Sequence, residues 1–579
     1  MSHYTLRFPA LTLENLRAAY ASGQTIHDVL TEVHRRIEQR GDDHVWLHRP
    51  PLEELLTSAP TDPTLPLFGV PFAVKDNIDV AGWPTTAACP AYSYIATADA
   101  PVVARLRAAG AIPIGKTNLD QFATGLVGTR TPYGACRSVF HADYISGGSS
   151  SGSAVAVAAG EVAFSLGTDT AGSGRVPAAF NGLVGLKPTV GALSSRGVVP
   201  ACRSLDCVSI FAHSVADAST LHAIAEGFDA ADPYSRQRPL GDTPQPTTVR
   251  LGVLPASQRE FFDNTESAAL YAAAIERCAA LGHTIVEIDY APFRDTAQLL
   301  YSGPRVAERS AGVGDFLAKN PDAFHPVTRG IIERAGKWTA AEGYRAEYEL
   351  QRLRRLAEAE WQKMDTLLLP TAPGIYRVDD VLAEPLELNT QLGAYTNFVN
   401  LLDCAALAVP AGFGPSGLPF GVTFIAPAWS DRFLAQLGAA FVNEPTPFST
   451  NSGVLLAVVG AHLSEQPLNH QLTSRGAVLR RTCRTAPNYR LYALPNTKPA
   501  KPGLRRTPGF TGPGIELEVW ELSTRAFGSF VAETPAPMGI GTVELEDGTT
   551  VKGFLCEPCA LEGADDITAY GGWRAYLAK

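Results

Sequence analysis

The sequence predicts an α/β protein with a buried central sheet, followed by a smaller strand-rich domain. Three observations predict it. Short β-like runs and small-residue helices alternate between glycine-rich turns as far as about residue 220. A turn-rich interval, Asn443 to Gly453 (N-E-P-T-P-F-S-T-N-S-G), then interrupts the periodic pattern. Beyond it come apolar or alternating runs and a hairpin turn. A chain of 579 residues also exceeds what one hydrophobic core usually organises. The expected division is a first domain over 1–442, a linker over 443–453 and a second domain over 454–579.

The elements follow in order. Leu11 to Arg40 reads as two amphipathic helices, the second with Ile26, Val29, Leu30, Val33 and Ile37 at helical spacing. Leu67 to Val74 is a strand-like run broken by Pro71, and Ala111 to Ile114 is another, preceded by a helical segment over Val102 to Ala109. Ala340 to Met364 is a long charged helix with tyrosines and leucines three and four apart. Asp365 to Pro370 and Ala405 to Pro410 read as buried strands, each closed by its proline. In the second domain, strands are expected over Val454 to Val459, Ile515 to Trp520 and Gly541 to Leu545. Glu546-Asp547-Gly548 then turns the chain into Thr549 to Phe554.

Composition narrows the function. An apolar fraction of 45% and a charged fraction of 18% are ordinary for a globular protein. The net charge of −10 and the lack of basic runs exclude a nucleic-acid partner. No stretch reaches the ~18–20 uninterrupted apolar residues of a membrane span, and Ser153 to Leu166 is too short. Met1 to Pro9 carries no apolar leader core, so no secretory signal is expected. Nine cysteines, an odd number spread over a long chain, fit a reducing cytoplasm better than secretion. Cys556 and Cys559 form a lone C-E-P-C with no second pair, so no metal site is expected.

The chemistry concentrates between residues 69 and 189. Gly147 to Ser153 reads G-G-S-S-S-G-S ahead of a helix of small residues. No lysine follows in phosphate-loop register, which leaves a tight catalytic loop where glycine permits unusual dihedrals and serine supplies hydroxyls. Gly167 to Pro177 reads G-T-D-T-A-G-S-G-R-V-P. There the N–H groups of Thr170, Ala171, Gly172 and Ser173 can converge as an oxyanion hole, with Ser173 placed to attack the carbonyl they hold. Such a serine needs a base. His141 and His213 are the histidines of this region, and neither has a recognisable Ser-His-Asp context. Lys75 follows the apolar run G-V-P-F-A-V, which would desolvate its ammonium; a strand-end lysine reaching solvent is the other reading.

Five segments together resemble the amidase signature family. They are G-V-P-F-A-V-K-D-N-I-D (Gly69 to Asp79), G-K-T-N-L-D-Q-F-A (Gly115 to Ala123), G-G-S-S-S-G-S, G-T-D-T-A-G-S-G-R-V-P-A (Gly167 to Ala178) and G-L-V-G-L-K-P-T (Gly182 to Thr189). The resemblance covers roughly the first 440 residues and implies a mixed central sheet covered by helices. It also implies a Ser–cisSer–Lys triad: Ser173 the nucleophile, Ser149 a proton relay through a cis peptide, and Lys75 the general base. No cofactor and no metal are implied.

The tail carries a second resemblance. A-V-V-G-A-H-L (Ala457 to Leu463), P-L-N-H-Q-L (Pro467 to Leu472), R-T-A-P-N-Y-R-L-Y-A-L (Arg484 to Leu494), P-A-P-M-G-I-G-T-V-E-L (Pro535 to Leu545), V-K-G-F-L-C-E (Val551 to Glu557) and D-I-T-A-Y-G-G-W-R-A-Y-L (Asp566 to Leu577) are similar to the domain that follows the amidase domain in allophanate hydrolases. F-A-T-G-L-V-G-T-R-T-P-Y-G, Phe122 to Gly134, resembles the same group. This implies allophanate as substrate, a homodimer, and a functional link to a biotin-dependent urea carboxylase. It implies that Tyr301, Arg309 and Gly125 contact the substrate. It also implies an α+β second domain similar to γ-glutamyl cyclotransferase that promotes decarboxylation of N-carboxycarbamate, with His462 as its acid or base and Glu533 a weaker candidate. By spacing, Arg305 and Arg309 share a face of a helix starting near Pro304; they either select a carboxylate or form a solvated face paired with Glu308. The rival expectations are a general small-amide amidase, for instance for malonamate, with a C-terminal domain that serves mainly for dimerisation, or an amidotransferase-type subunit that hands ammonia to a partner.

Overall fold

A computed structural model describes residues 10–239, 248–445 and 453–579. Contacts divide the chain into two compact units, the larger drawn mainly from residues up to 447 and the smaller mainly from 448 onward. Most of the expected linker, at 446–452, lies outside the described residues.

Among the described residues, the larger unit is built on an eleven-stranded sheet. Its strands are β1 (Trp46–His48), β2 (Pro71–Lys75), β3 (Ile112–Thr117), β4 (Phe164–Asp169), β5 (Val184–Lys187), β6 (Cys207–Ala212), β7 (Arg250–Val253), β8 (Thr284–Glu287), β9 (Thr366–Pro370), β10 (Cys404–Phe413) and β11 (Pro419–Pro427). Their order is β1-β3-β2-β4-β6-β5-β10-β11-β9-β7-β8. β2 pairs in parallel with β3 and β4, whereas β4, β6, β5, β10, β11 and β9 follow one another antiparallel, so the sheet is mixed. Every residue of β2, β3, β4 and β6 is buried. Strands covered on both faces read as continuous apolar runs rather than alternations, as P-F-A-V of β2 does, whereas β4, F-S-L-G-T-D, buries polar side chains as well. The helices Ser151–Ala158, Val176–Phe180, Val215–Ala225 and Asp431–Val442 pack against these strands.

Three details differ from the sequence expectation. The strand expected over Leu67 to Val74 begins only at Pro71, because Leu67 to Val70 close a turn, Val70 N–H bonding Leu67 C=O at 3.0 Å; it ends on Lys75. Pro410 does not close its strand. β10 runs on to Phe413, and the register shifts between Pro410 and Gly412, a bulge that accommodates the missing N–H. The helix expected to start near Pro304 starts at Val306, with Arg305 at its N-cap. The long helix Ala340–Trp361 opens on a capping box in which Thr339 and Glu342 exchange backbone bonds.

The smaller unit holds a five-stranded sheet ordered Val478–Arg484, Glu516–Leu522, Val454–Val458, Thr550–Cys556, Met538–Glu544, with a three-stranded sheet beside it. Leu456, Val458, Leu517, Val519 and Phe554 belong to its core. Asp547-Gly548 makes the hairpin turn between the last two strands of the five, with Gly548 at φ 80°. Among the described residues no helix is long and apolar enough to cross a membrane.

Candidate active site

Sheet topology assembles the site. Parallel pairing of β2 with β4 sets Phe72 beside Phe164 and Val74 beside Leu166, so Lys75 and Thr168 emerge side by side at the carboxyl ends of neighbouring strands. Lys75 is fully buried, and its Nζ donates to Ser149 Oγ at 2.8 Å and to Thr168 Oγ1 at 2.7 Å. Asn77 Nδ2 donates to the same Thr168 oxygen at 3.3 Å. Burial drives the Lys75 pKa down to about 7, against the upward pull of the Asp120, Asp206 and Asp169 carboxylates. An amine with that value is half neutral near pH 7, the condition a lysine base requires.

Ser149 stands at the mouth of the helix Ser151–Ala158, after a cis Gly148–Ser149 peptide bond. Its carbonyl accepts from Asp120 N–H at 3.1 Å. Asp120, fully buried, turns its carboxylate to the N–H groups of Val127, Gly128 and Arg130 at 2.9–3.1 Å.

Ser173 lies in the loop from β4 to the helix Val176–Phe180, 3% exposed, with Oγ 3.5 Å from Gly125 C=O. Gly125 has φ 154°, and a Cβ there would come within 2.8 Å of Asp120 Oδ2, so only glycine brings this carbonyl to the serine. The loop's shape is held by Asp169. Its oxygens accept from Gly172 N–H at 2.9 Å and Gly174 N–H at 3.0 Å, and Arg175 grips both at 2.9 Å. Burial opposes the charge of Asp169, yet the Arg175 guanidinium keeps its pKa below the ordinary value. Of the four expected oxyanion donors, Gly172 N–H is therefore committed to Asp169. The N–H groups of Thr170, Ala171 and Ser173 have no acceptor among the described residues. Thr170 Oγ1 donates to Asp206 at 2.5 Å.

The two histidines are elsewhere. His213 follows β6, whose Ala212 pairs with Phe164 at the opposite end of β4 from Asp169. His141 sits in a loop, its Nδ1 accepting from Asp143 N–H at 3.2 Å and its ring against Tyr144.

The arginine pair is split. Arg305 forms an ion pair with Glu347 at 2.6 Å. Arg309 is 2% exposed, and its guanidinium donates to Thr124 Oγ1 at 3.1 Å and Tyr301 OH at 3.0 Å. No carboxylate lies within ion-pair distance of it among the described residues; Glu308 bonds Ser204 instead. A buried guanidinium facing two neutral oxygens retains unused donor capacity. Thr124 adjoins Gly125, so that capacity lies one peptide from the carbonyl that touches Ser173.

In the smaller unit, His462 lines a cavity of about 240 Å³ with Gln471, Lys498, Lys501, Glu533 and Phe554. His462 Nε2 is 2.9 Å from Gln471 Oε1 and the ring stacks on Phe554, 5.1 Å between centroids. Burial lowers its pKa. Glu533 forms an ion pair with Arg475 at 2.6 Å.

Asp120, Thr168, Asp169, Arg175 and Asp206 were missed from sequence. Asp169 and Arg175 stand as charged side chains inside a glycine-rich run, a signal the sequence carries, whereas sheet pairing brings Thr168 and Asp206 to the site.

The sheet, the lysine–serine contact and the serine loop together define an enzyme that hydrolyses amides. The chain belongs to the amidase family, whose model matches residues 52–434; residues 454–578 match the allophanate hydrolase C-terminal domain. It is 46% identical over 558 residues to the urea amidolyase of Lachancea kluyveri, which covers 90% of this chain and 30% of that protein, so the chain spans under a third of the length of this curated relative. Among solved structures it resembles Kluyveromyces lactis allophanate hydrolase, with a TM-score of 0.76 and 42% identity over 98% of this chain and 99% of that one. It also resembles the K. lactis urea amidolyase, again with a TM-score of 0.76 and 42% identity, over 98% of this chain and 36% of that one.

Proposed function

We propose that this chain is an allophanate hydrolase whose nucleophile is Ser173. The observation that carries the reading is Arg309: buried, without a carboxylate in ion-pair distance among the described residues, and held by Tyr301 and by Thr124, the neighbour of Gly125 whose carbonyl lies beside Ser173. Allophanate presents a carboxylate at one end and a primary amide at the other, which suits that pairing.

In this mechanism neutral Lys75 receives the Ser149 proton as Ser149 takes the Ser173 proton. Ser173 Oγ bonds the amide carbon, and free N–H groups of the 170–173 loop hold the oxyanion. The C–N bond breaks, the relay returns a proton to nitrogen, and ammonia leaves. Water, deprotonated by the same relay, cleaves the acyl-enzyme and releases N-carboxycarbamate. The second domain promotes its loss of carbon dioxide: Lys498 and Lys501 supply positive charge at the cavity and His462 moves the proton. The enzyme acts as a cytoplasmic homodimer, downstream of a biotin-dependent urea carboxylase that supplies its substrate.

The test is steady-state ammonia release by the purified chain on allophanate, malonamate, biuret and glutamine. Turnover of allophanate without a partner protein is expected. Its absence overturns the assignment, and release from glutamine alone favours a component that transfers ammonia to a partner.

A further inference from the structure

The residue before Arg309 does different work. Glu308 Oε1 accepts from Ser204 N–H at 2.6 Å and Oε2 from Ser204 Oγ at 2.8 Å. Ser204 sits in a tight turn closed by Leu205 and Asp206 N–H groups on Cys202 C=O, at 2.8 and 2.9 Å. Asp206 then folds its carboxylate back over the turn, accepting from Ala201 N–H at 2.9 Å and Cys202 N–H at 3.1 Å. The same carboxylate takes the Thr170 hydroxyl at 2.5 Å. Asn400 Nδ2 adds a second tie, donating to Asp169 C=O and Leu205 C=O at 2.9 Å each.

A continuous path thus runs from the helix Val306–Lys319 through the Glu308–Ser204 hydrogen bonds, along the Cys202–Asp206 turn, and through the Asp206–Thr170 hydrogen bond. Its first element carries the guanidinium of Arg309 and its last opens the loop that ends on Ser173. Asp206 is 6% exposed and Thr170 3%, so the inner link is not diluted by solvent, while the Glu308–Ser204 link is part-buried. Close-packed, hydrogen-bonded groups of this kind shift as a unit rather than one by one.

We propose that Glu308 and Asp206 are positioning residues that tie the engagement of a substrate carboxylate by Arg309 to the alignment of the 170–173 loop. A carboxylated amide is then turned over faster as well as bound more tightly, because binding energy gained at Arg309 is spent on loop geometry. This rests on the allophanate reading and adds how the site converts that recognition into rate.

The experiment measures kcat and KM separately on allophanate and on biuret, in which an amide replaces the carboxylate. The proteins are wild type, Glu308→Ala, Glu308→Gln, Arg309→Ala and Glu308→Ala/Arg309→Ala. Glu308→Ala is expected to lower kcat on allophanate about tenfold with KM within about threefold, and to cost clearly less on biuret. In the double variant the allophanate-to-biuret preference should match that of Arg309→Ala alone, since a broken tie has nothing left to transmit. Glu308→Gln should restore most of the rate, its amide accepting from Ser204 N–H and donating to Ser204 Oγ. Equal losses on both substrates, a change in KM alone, or additive losses in the double variant overturn the coupling. Should Glu308→Ala fail to fold, Ser204→Ala removes one of the two bonds and must show a smaller split in the same direction; no split there overturns the proposal. Wild type that does not prefer allophanate over biuret overturns the substrate reading itself, an outcome separable from the others.

Discussion

The two candidate sites of this molecule obtain reactivity in opposite ways. In the larger unit the groups that matter are sealed and held by backbone. Lys75 meets two hydroxyls and no carboxylate within ion-pair distance among the described residues, and Asp169 freezes the Ser173 loop through two N–H groups and a two-pronged arginine. In the smaller unit a histidine, two lysines and Glu533, whose side chain is 58% exposed, surround a cavity of about 240 Å³. The first environment seals its side chains in the interior; the second gathers a half-buried histidine and charged side chains around a space. Nucleophilic catalysis requires the former, whereas decarboxylation of an unstable dianion requires mainly charge and a proton.

The contrast breaks most sharply at Ser173. Ser173→Ala should lower ammonia release from allophanate by about 10⁴-fold or more, with unchanged thermal unfolding. A loss under tenfold would put the nucleophile elsewhere. Arg309→Ala comes next: loss of a buried charge-assisted contact worth about 3 kcal/mol lowers kcat/KM on allophanate about 10²-fold while costing biuret far less. An equal loss on both makes Arg309 a structural residue.

The state of Lys75 sharpens the comparison by pH. A base must be unprotonated, so kcat/KM should rise with pH and level off above about 7, falling about tenfold per unit below it. An inflection near the ordinary lysine value of about 10.4 would mean a solvated amine and defeat the relay. The same depression gives a stability signature. Between about 7 and 10.4 the unfolded chain binds more protons than the folded one, so this group makes stability rise with pH across that window. His462→Ala should act on the other unit alone, leaving release of the first ammonia intact and slowing carbon dioxide release about tenfold. Equal slowing of both would remove the division of labour.

What could be read from the sequence follows the same contrast. Ser149, Ser173 and Lys75 could be singled out as candidates because glycine-rich loops and a lysine closing an apolar strand are local patterns, and resemblance joined them. Their partners were not, because Lys75 meets Thr168 only through the parallel pairing of β2 with β4, and Asp206 meets Thr170 only once β6 lies beside β4. Spacing placed the donors of the 170–173 loop but not the occupation of Gly172 N–H, which depends on where Asp169 turns. Pro410 misled for a related reason: a bulge within a paired strand satisfies the same constraint as a strand end. In the tail, Val478–Arg484 and Pro502–Arg506 escaped notice because arginines punctuate them, although pairing decides their state.

The arginine pair yields the smallest expected effect and a strict one. Arg305 and Arg309 are four apart, and helical periodicity alone would give them one face and one role. The helix begins between them, at Val306, so Arg305 is a cap residue turned toward Glu347 while Arg309 faces inward. The Arg305–Glu347 pair is partly solvated, and pairs of that kind contribute about 0–1 kcal/mol. Arg305→Ala should therefore change kcat/KM on allophanate less than about threefold, with the same small change on biuret. A selective loss on allophanate would show that the outer arginine also reads the carboxylate, and the burial of Arg309 would then no longer be what separates a substrate-binding arginine from a surface one.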